Sequence, residues 1–575
     1  MTLRTLPLLS VVACAAGLAL DLRETWLALL VVPAVYLGPG LALRLLFAKG
    51  PVDPVRVGLD AYFVGVVPAL VVLAVSRHTG SPWAALGVAG FFAVGGLASG
   101  ARGQVASSRP ERIGLAVSVI LLGAWFFGQR GDIARPLERY WWPGEGAAER
   151  LPELAPAPAT TGFAEATPVS DAGLLRLRGT GSIEAEGAVL LALQGPVGSV
   201  VRVGTEEIEL RASPVEELGE GPVRRYLPGK LGVVAAWIDA PTEVEAPLAF
   251  VIPSQDALWT LDGSGELRVA HYYQLLNMVE QVDWAHERWV TDVQPPMWTP
   301  IYGAVLAVTG GDLPTANVLH AAVLFAAVLA GLLFLRNFAS AAPLPAWCLP
   351  GAAAVVVGKL VVTAGSAGMP DTLYAVALLA AVSALGEEPF RAGRFECFGL
   401  AAQLLRYPAT LVTVVAALLA GRWRAGLRVA TAVGVVATAF GVGGFATGAL
   451  DGWLGTVAWE SGPEHWHGET TPAVLLARLP GFYWAWLLYS GGGLALAAVA
   501  WPRGTRVALG TALVYSLLLC TIDHRPTHYF LPLVLLSAAG TSATAAALRP
   551  ALGTGLSLAG LSGLLIFWIR GPIVE

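Results

Sequence analysis

Long apolar runs fill both ends of the chain, separated by short polar loops, and one large polar stretch lies between the two ends. A helix needs about 17–25 apolar residues to cross the hydrocarbon core of a bilayer. Runs of this kind predict spanning helices at 5–20, 27–47, 57–76, 82–99, 112–128, 314–335, 347–364, 370–386, 395–421, 428–449, 474–500, 506–522, 528–547 and 552–569. One interpretation divides 395–421 at Pro408, so we expect a mainly α, polytopic transmembrane helical bundle of roughly 14 or 15 spans.

The polar stretch has a pattern of its own. Residues 170–255 carry short alternating runs, such as LLRLRG and EEIELRA, which are bounded by Gly and Pro and are typical of strands. We therefore expect an inserted β-sandwich module there, with a structural or recognition role. The predicted organisation is N-terminal transmembrane helices at 1–128, a linker at 129–169, the β-sandwich at 170–262, interfacial helices at 263–312 and a C-terminal transmembrane region at 313–575.

Composition supports a membrane protein. Charged residues make up 13% of the chain, hydrophobic residues 55%, and the mean hydropathy is +0.64. The net charge of −5 gives no basic surface for nucleic acid. All four cysteines lie in or beside apolar segments, a distribution that does not favour a disulfide framework.

Basic residues are concentrated in alternate loops, near positions 50, 105 and 425. Lys and Arg are enriched in cytoplasmic loops, so these three loops are predicted to be cytoplasmic. The β-module then lies on the periplasmic or extracellular side of a bacterial inner membrane.

The chain returns to apolar sequence through QPPMWTPIYGA at 294–304, which contains Pro295 and Pro296. Two prolines disfavour helix before them, and Trp298 and Tyr302 are aromatics typical of a lipid–water boundary. We expect this segment to lie along the outer membrane surface, after an amphipathic helix, HYYQLLNMVEQVDW, that contains Tyr273.

Three further motifs follow in order: GMPDTLYAVALLAA with Asp371, GLAAQLLRYPATLVTVVAALL with Arg406, and HRPTHYFLPLVLL with Arg525, His528 and Tyr529. Together with the Tyr-containing helix and QPPMWTP, they resemble the GT-C superfamily of polyprenyl-phosphate-dependent glycosyltransferases. The nearest members are lipid A aminoarabinose transferases and protein O-mannosyltransferase-like enzymes. The resemblance covers residues 266–547.

This resemblance implies sugar transfer from a polyprenyl-phosphate donor to an envelope lipid, glycan or protein on the outer face, without a cofactor. Cations at the outer interface would hold the donor phosphate. The residues so placed are Lys359, Arg406 and Arg525, with His528 and Tyr529 beside them. Lys359 has an alternative partner in Asp371, across a short loop.

A carboxylate acts as general base in this family, three or four residues before the Tyr of the amphipathic helix. Arg268, Val269 and Ala270 occupy those positions here. The carboxylates that remain available are Asp132, Asp262, Glu266 and Asp371. If none of these serves, the chain is a GT-C fold without that reaction.

The loop WESGPEHWHGETTP contains His465 and His467 between acidic residues. It could bind a divalent metal, contact the acceptor or donor sugar, or be a plain polar loop, and the His spacing fits no closed metal site. Two other classes of protein remain open: a non-catalytic membrane scaffold whose β-module binds a partner or glycan, and a secondary transporter. A transporter favours an internal repeat, and the sequence has no convincing one.

Overall fold

A computed structural model describes residues 3–20, 22, 24–48, 50–79, 81–99, 102–103, 108–128, 159–168, 175–184, 189–196, 199–209, 231–238, 241–253, 297–309, 314–363, 371–406, 409–447, 502–520 and 527–570. The helix predicted at 474–500 lies outside this part of the chain. So do the candidate site residues Asp132, Asp262, Glu266, Tyr273, Pro295, Pro296, His465, His467 and Arg525.

Most of the described residues are helical, in two groups of α-helices on either side of the strand-rich region. The first group is α1 (Leu6–Ala19), α2 (Glu24–Val31), α3 (Gly38–Leu46), α4 (Pro54–Val64), α5 (Val66–Thr79), α6 (Pro82–Leu97) and α7 (Arg109–Gly128). A π-helical segment, Val32–Leu37, joins α2 to α3.

The second group begins where the polar insert ends. It comprises α8 (Trp298–Thr309), α9 (Pro314–Phe338), α10 (Leu344–Thr363), α11 (Asp371–Ala384), α12 (Ala392–Gln403), α13 (Ala409–Leu419), α14 (Trp423–Thr447), α15 (Arg503–Cys520), α16 (Leu531–Ala547) and α17 (Pro550–Arg570). Within the described residues, the helix positions predicted from apolar runs agree with these bounds to within a few residues.

Four helical stretches in the described part of the chain are long and apolar enough to cross a membrane: Leu27–Leu46, Pro54–Ser76, Val318–Phe338 and Pro550–Ile569. Shorter apolar helices, such as α10 and α16, pack beside them. These helices are consistent with a membrane protein, as their composition predicts.

One end of the helical bundle, here called the ion-pair end, holds buried charged groups. Arg336 at the end of α9 bonds Asp53 and Glu111, and Arg394 bonds both Asp60 and Glu387. The loops near 50 and 105 meet at this end, because β1 (Pro51–Val52) pairs in parallel with β2 (Arg102–Gly103). The loop near 425 joins them, since Arg422 pairs with Glu388 at 3.1 Å.

Helices α7 and α10 run parallel and make close contact along their length. Gly114 packs on Trp347, Ser118 on Gly351 and Trp125 on Gly358, so the residue numbers rise together on both helices. Small residues allow two helix backbones to approach closely within a membrane, where apolar burial provides no driving force between helices.

A Gly351→Ala substitution is expected to destabilise the protein by about 1–3 kcal/mol, because its Cβ would lie 2.7 Å from the Cα of Ser118. Gly434→Ala on α14 is the matched control, since no atom of the described residues lies within 4 Å of its Cβ position. Alanine favours a helix over glycine by about 1 kcal/mol, so the control should be neutral or stabilising. Thermal unfolding in detergent compares the two; equal midpoints would contradict the close packing of α7 on α10.

The strand-rich region forms an antiparallel sheet. Its strands are β3 (Ala159–Thr161), β4 (Glu165–Pro168), β5 (Leu175–Glu184), β6 (Val189–Pro196), β7 (Val200–Val203), β8 (Glu206–Glu209), β9 (Leu231–Ile238) and β10 (Thr242–Pro253). Their order is β3-β5-β10-β6-β9; β4 pairs with β5, and β7 joins β8 to β10.

Alternate residues of these strands form the core of the sheet, as a side-chain period of two requires. Leu175 and Leu177 of β5, Leu191 and Leu193 of β6, and Val201 and Val203 of β7 are buried together. The alternating runs in the sequence thus correspond to strands whose alternate side chains are buried.

Helix α8 differs from the expectation that 294–304 lies along the membrane surface. Trp298 is 1% exposed and Tyr302 is fully buried, and α8 packs against α2, α5 and α6. A helix that is apolar on all sides is a core helix, and WTPIYGAVLAVT has no charged face that could meet water or headgroups.

Candidate functional site

Arg406 lies in the break between two short helices, as the sequence suggested for this region. Helix α12 ends at Gln403, and α13 begins at Ala409, directly after Pro408. The side chain of Gln403 accepts hydrogen bonds from the backbone N–H and hydroxyl of Thr410, at 2.9 and 2.6 Å. These two bonds cap α13 and fix the short connection that carries Arg406.

Asp371 meets Arg406 in a two-pronged ion pair. Nε of Arg406 donates to Oδ1 of Asp371 at 2.9 Å, and Nη2 donates to Oδ2 at 2.7 Å. The side chain of Asp371 is 5% exposed, and that of Arg406 is 16% exposed. Such a fork holds the guanidinium plane in a fixed orientation, and Asp371 also lies favourably in the first turn of α11.

This pair defines the Asp371 end of the bundle, opposite the ion-pair end. Helix α11 begins at Asp371 and ends three residues before Glu387. Its 14 residues, at a rise of about 1.5 Å each, put about 20 Å between the two groups of charges. The chain therefore separates one ion pair from a larger network by most of the thickness of a hydrocarbon core.

Three tyrosines lie close to the pair. Tyr374 is one helical turn after Asp371, and its ring centroid lies 6.3 Å from that of Tyr515 on α15. Tyr515 interacts electrostatically with Asp371, Arg406 and Tyr529. The Tyr374 hydroxyl is buried, and no hydrogen-bond partner exists for it among the described residues. A buried hydroxyl without a partner is costly, so this position is suited to a ligand oxygen or water.

The end of the polar insert is attached to the same place. The backbone N–H of Met297 donates to the carbonyl of Leu404 at 3.0 Å, two residues before Arg406. Trp298 then stacks on Tyr302 and lies 5.5 Å from the His320 ring on α9. The described chain therefore enters the bundle at Met297, beside the connection that carries Arg406.

Lys359 was predicted to bind the donor phosphate together with Arg406, or to pair with Asp371. In the structure its ammonium donates to the backbone carbonyl of Trp568 on α17 and lies 5.4 Å from the centre of the indole ring. Helix α10, which carries Lys359, packs against α7, α9, α16 and α17, whereas α11 packs against α9, α12 and α16. The structure thus brings Asp371 to Arg406 and Lys359 to Trp568.

Of the remaining predicted phosphate ligands, His528 and Tyr529 belong to a described segment that contacts the helix of Asp371. Thr527–Phe530 forms a 3-10 turn before α16, and this turn contacts α10, α11 and α16. Tyr529 belongs to that turn and is partly buried; His528 shares its backbone, although its side chain is outside the described part.

Sequence reasoning missed Tyr374, Tyr515 and Gln403. The spacing of Tyr374 from Asp371 was a usable signal, because residues three apart share a helix face. Gln403 carried no such signal, since its role depends on where α13 begins.

Within the described ranges, no group of three His, Cys, Asp or Glu residues could hold a metal ion. The chain matches no protein-family model, no curated protein and no solved structure.

Proposed function

We propose that this chain is a membrane glycosyltransferase of GT-C architecture, which moves a sugar from a polyprenyl-phosphate donor to a lipid, glycan or protein acceptor. The observation that carries the proposal is the Asp371–Arg406 pair, a buried and oriented guanidinium beside the point where Met297 enters the bundle. An anionic donor with a long apolar tail needs a cation at the membrane boundary, and Arg406 offers one.

Fixed cations and hydroxyls stabilise a leaving phosphate when they are oriented before the reaction. Arg406 is oriented by Asp371, and the hydroxyls of Tyr374 and Tyr529 are further donors on the same side. Arg525 and His528 complete the proposed set. Lys359 is left out of this set because its contacts are with Trp568.

In the proposed reaction an acceptor hydroxyl oxygen forms a bond to C1 of the sugar while the bond from C1 to the phosphate oxygen breaks. The electron pair of that bond leaves with polyprenyl phosphate, and the hydroxyl proton passes to a carboxylate. Asp132, Asp262, Glu266 and Asp371 are the candidate bases. Asp371 already accepts two hydrogen bonds from Arg406, a contact that favours a positioning role for it.

The same proposal includes the arrangement in the envelope. The ion-pair end faces the cytoplasm, and the Asp371 end and the strand-rich region face outward, with roughly 14 or 15 spans in an inner membrane and a sandwich-like module outside. The concentration of Arg and Lys in three loops supports this orientation, because all three loops meet at the ion-pair end.

Purified protein in nanodiscs, given a radiolabelled polyprenyl-phosphate sugar and envelope extract, should transfer label to an acceptor. Arg406→Lys keeps a charge against Asp371 but loses the fork, so transfer should fall about 10-fold or more. Arg428→Lys is the control, because Arg428 is 59% exposed and pairs with Glu396 at 2.8 Å. Folding of each variant is checked by its unfolding midpoint, and an unchanged rate for folded Arg406→Lys would refute this site.

A second function is favoured by the two hydrogen bonds that already join Asp371 to Arg406. A buried fork between Asp371 and Arg406 also suits a purely structural contact in a membrane scaffold, whose antiparallel sheet would bind a partner protein or glycan. The scaffold function is supported over the enzymatic one if wild-type protein transfers no label and the strand-rich region binds an envelope glycan or protein.

A further inference from the structure

An apolar groove, here called the α7–α17 groove, lies between α7, α10 and α17. Its volume is about 490 Å³. Helix α10 forms the floor and packs on both neighbours, whereas α7 and α17 form the walls. Among the described residues, the lining is apolar apart from two indole rings: Leu121, Ala124, Trp125, Ala352, Val355, Val356, Leu561, Leu564, Leu565 and Trp568.

The groove opens toward the lipid-facing side of the bundle, because Leu121 and Leu565 on its two walls are exposed. Empty apolar space forfeits dispersion contacts on every wall, and a hydrocarbon chain restores them. Its volume is within the range of sites that enclose a small ligand. A single lipid chain is therefore the natural occupant in a bilayer.

A cation marks one end of the groove. Lys359 follows the floor residues on α10 and lies over Trp568, the last lining residue on α17. Among the described residues no carboxylate pairs with Lys359; its partners are the carbonyl and ring of Trp568. An ammonium has three donors and is costly within a membrane, so an anion at this end would complete its bonding.

The depth of the groove in the bundle agrees with a lipid whose chain runs along the membrane normal within one leaflet. Trp125 and Lys359 lie near the ends of α7 and α10 that are remote from the ion-pair end, and Trp568 lies near the corresponding end of α17. Indole rings at this depth are typical of the headgroup boundary. The groove runs from there toward the middle of the bundle.

We propose that the α7–α17 groove binds one acyl chain of an anionic phospholipid from the surrounding leaflet, and that the lipid phosphate pairs with Lys359. This site is distinct from the Asp371–Arg406 pair and does not rest on the proposed transferase activity. Bulk phospholipid is favoured over a polyprenyl donor because a short groove on the lipid-facing side suits one acyl chain and exchanges directly with the bilayer.

The test uses the full chain in dodecylmaltoside, titrated with phosphatidylglycerol or with phosphatidylcholine of the same acyl chains. Bound lipid is counted by native mass spectrometry, and the thermal midpoint is recorded in parallel. Phosphatidylglycerol should bind more tightly, because the choline cation of phosphatidylcholine offsets the charge of the same phosphate. Lys359→Met should weaken phosphatidylglycerol binding about 10-fold or more and phosphatidylcholine binding less, so that the preference between the two lipids is lost.

Arg424→Met is the matched control. Arg424 also lies 5.4 Å from an indole ring, that of Trp423, but it is on an exposed surface away from the groove. This variant should retain the preference for phosphatidylglycerol. Lys359→Arg, which keeps the charge, should retain it as well.

Ala352→Phe tests the groove separately from the charge, because it fills the floor and leaves Lys359 in place. It should reduce retention of both lipids, and it provides the test if Lys359→Met fails to fold. Equal affinity of the wild type for the two phospholipids would overturn the proposal. Retention of polyprenyl phosphate but not of phosphatidylglycerol would overturn it too, and would assign the groove to the donor.

Discussion

Replacing Asp371 by asparagine is expected to lower the free energy of unfolding by about 3–5 kcal/mol. The substitution removes the charge that faces Arg406 and leaves a guanidinium that is only 16% exposed without its counter-ion. Breaking a buried pair costs more than the pair contributes, because the remaining charge stays desolvated. Equilibrium unfolding in mixed detergent micelles measures the difference.

The control is Glu388→Gln, which loses ion pairs to Arg422 at 3.1 Å and to Arg503 at 3.5 Å. Glu388 is 68% exposed, so its loss should cost less than about 1 kcal/mol. A cost for Asp371→Asn as small as that of the control would mean that water reaches the pair.

The same variant separates positioning from chemistry at the proposed site. Loss of a general base lowers the rate by about 100- to 10,000-fold in protein that remains folded. We expect Asp371→Asn to reduce transfer and stability together, because Asp371 orients Arg406. A loss of that size in Asp132→Asn, Asp262→Asn or Glu266→Gln, with stability unchanged, would identify the base instead.

Helix positions were predictable because length and composition alone set them. Apolar runs located α9, α10 and α11, and Pro408 indicated the break that the structure shows between α12 and α13. The partner of Asp371 was not predictable. The sequence places Lys359 and Arg406 at similar depths in the membrane, so either could have paired with Asp371. Only the packing of α12 against α11 brings Arg406 to Asp371.

Burial of aromatic residues was also beyond the sequence. Trp298 and Tyr302 have the composition of a membrane boundary, but α8 is surrounded by α2, α5 and α6. The spacing of apolar residues along a short apolar helix does not show whether other helices surround it. The acidic residues of the ion-pair end were also missed, because the rule that predicts loop orientation counts only Lys and Arg.

Arg394 is the residue of the ion-pair end whose loss should have the largest effect. Its guanidinium bonds Asp60 at 2.8 Å and also Glu387, and these two carboxylates are 8% and 1% exposed. Arg44 and Arg56 are their other partners, at 2.9 and 3.5 Å. Arg394 therefore joins α4 in the first helical group to α12 in the second.

Arg394→Met is expected to destabilise the protein by about 3–5 kcal/mol, because it leaves both carboxylates buried with less compensation. Arg428→Met is a closely matched control: its ion pair with Glu396 also measures 2.8 Å, but Arg428 is 59% exposed. That loss should cost less than about 1 kcal/mol. Equal destabilisation by the two variants would show that buried charge at this end does not hold the two helical groups together.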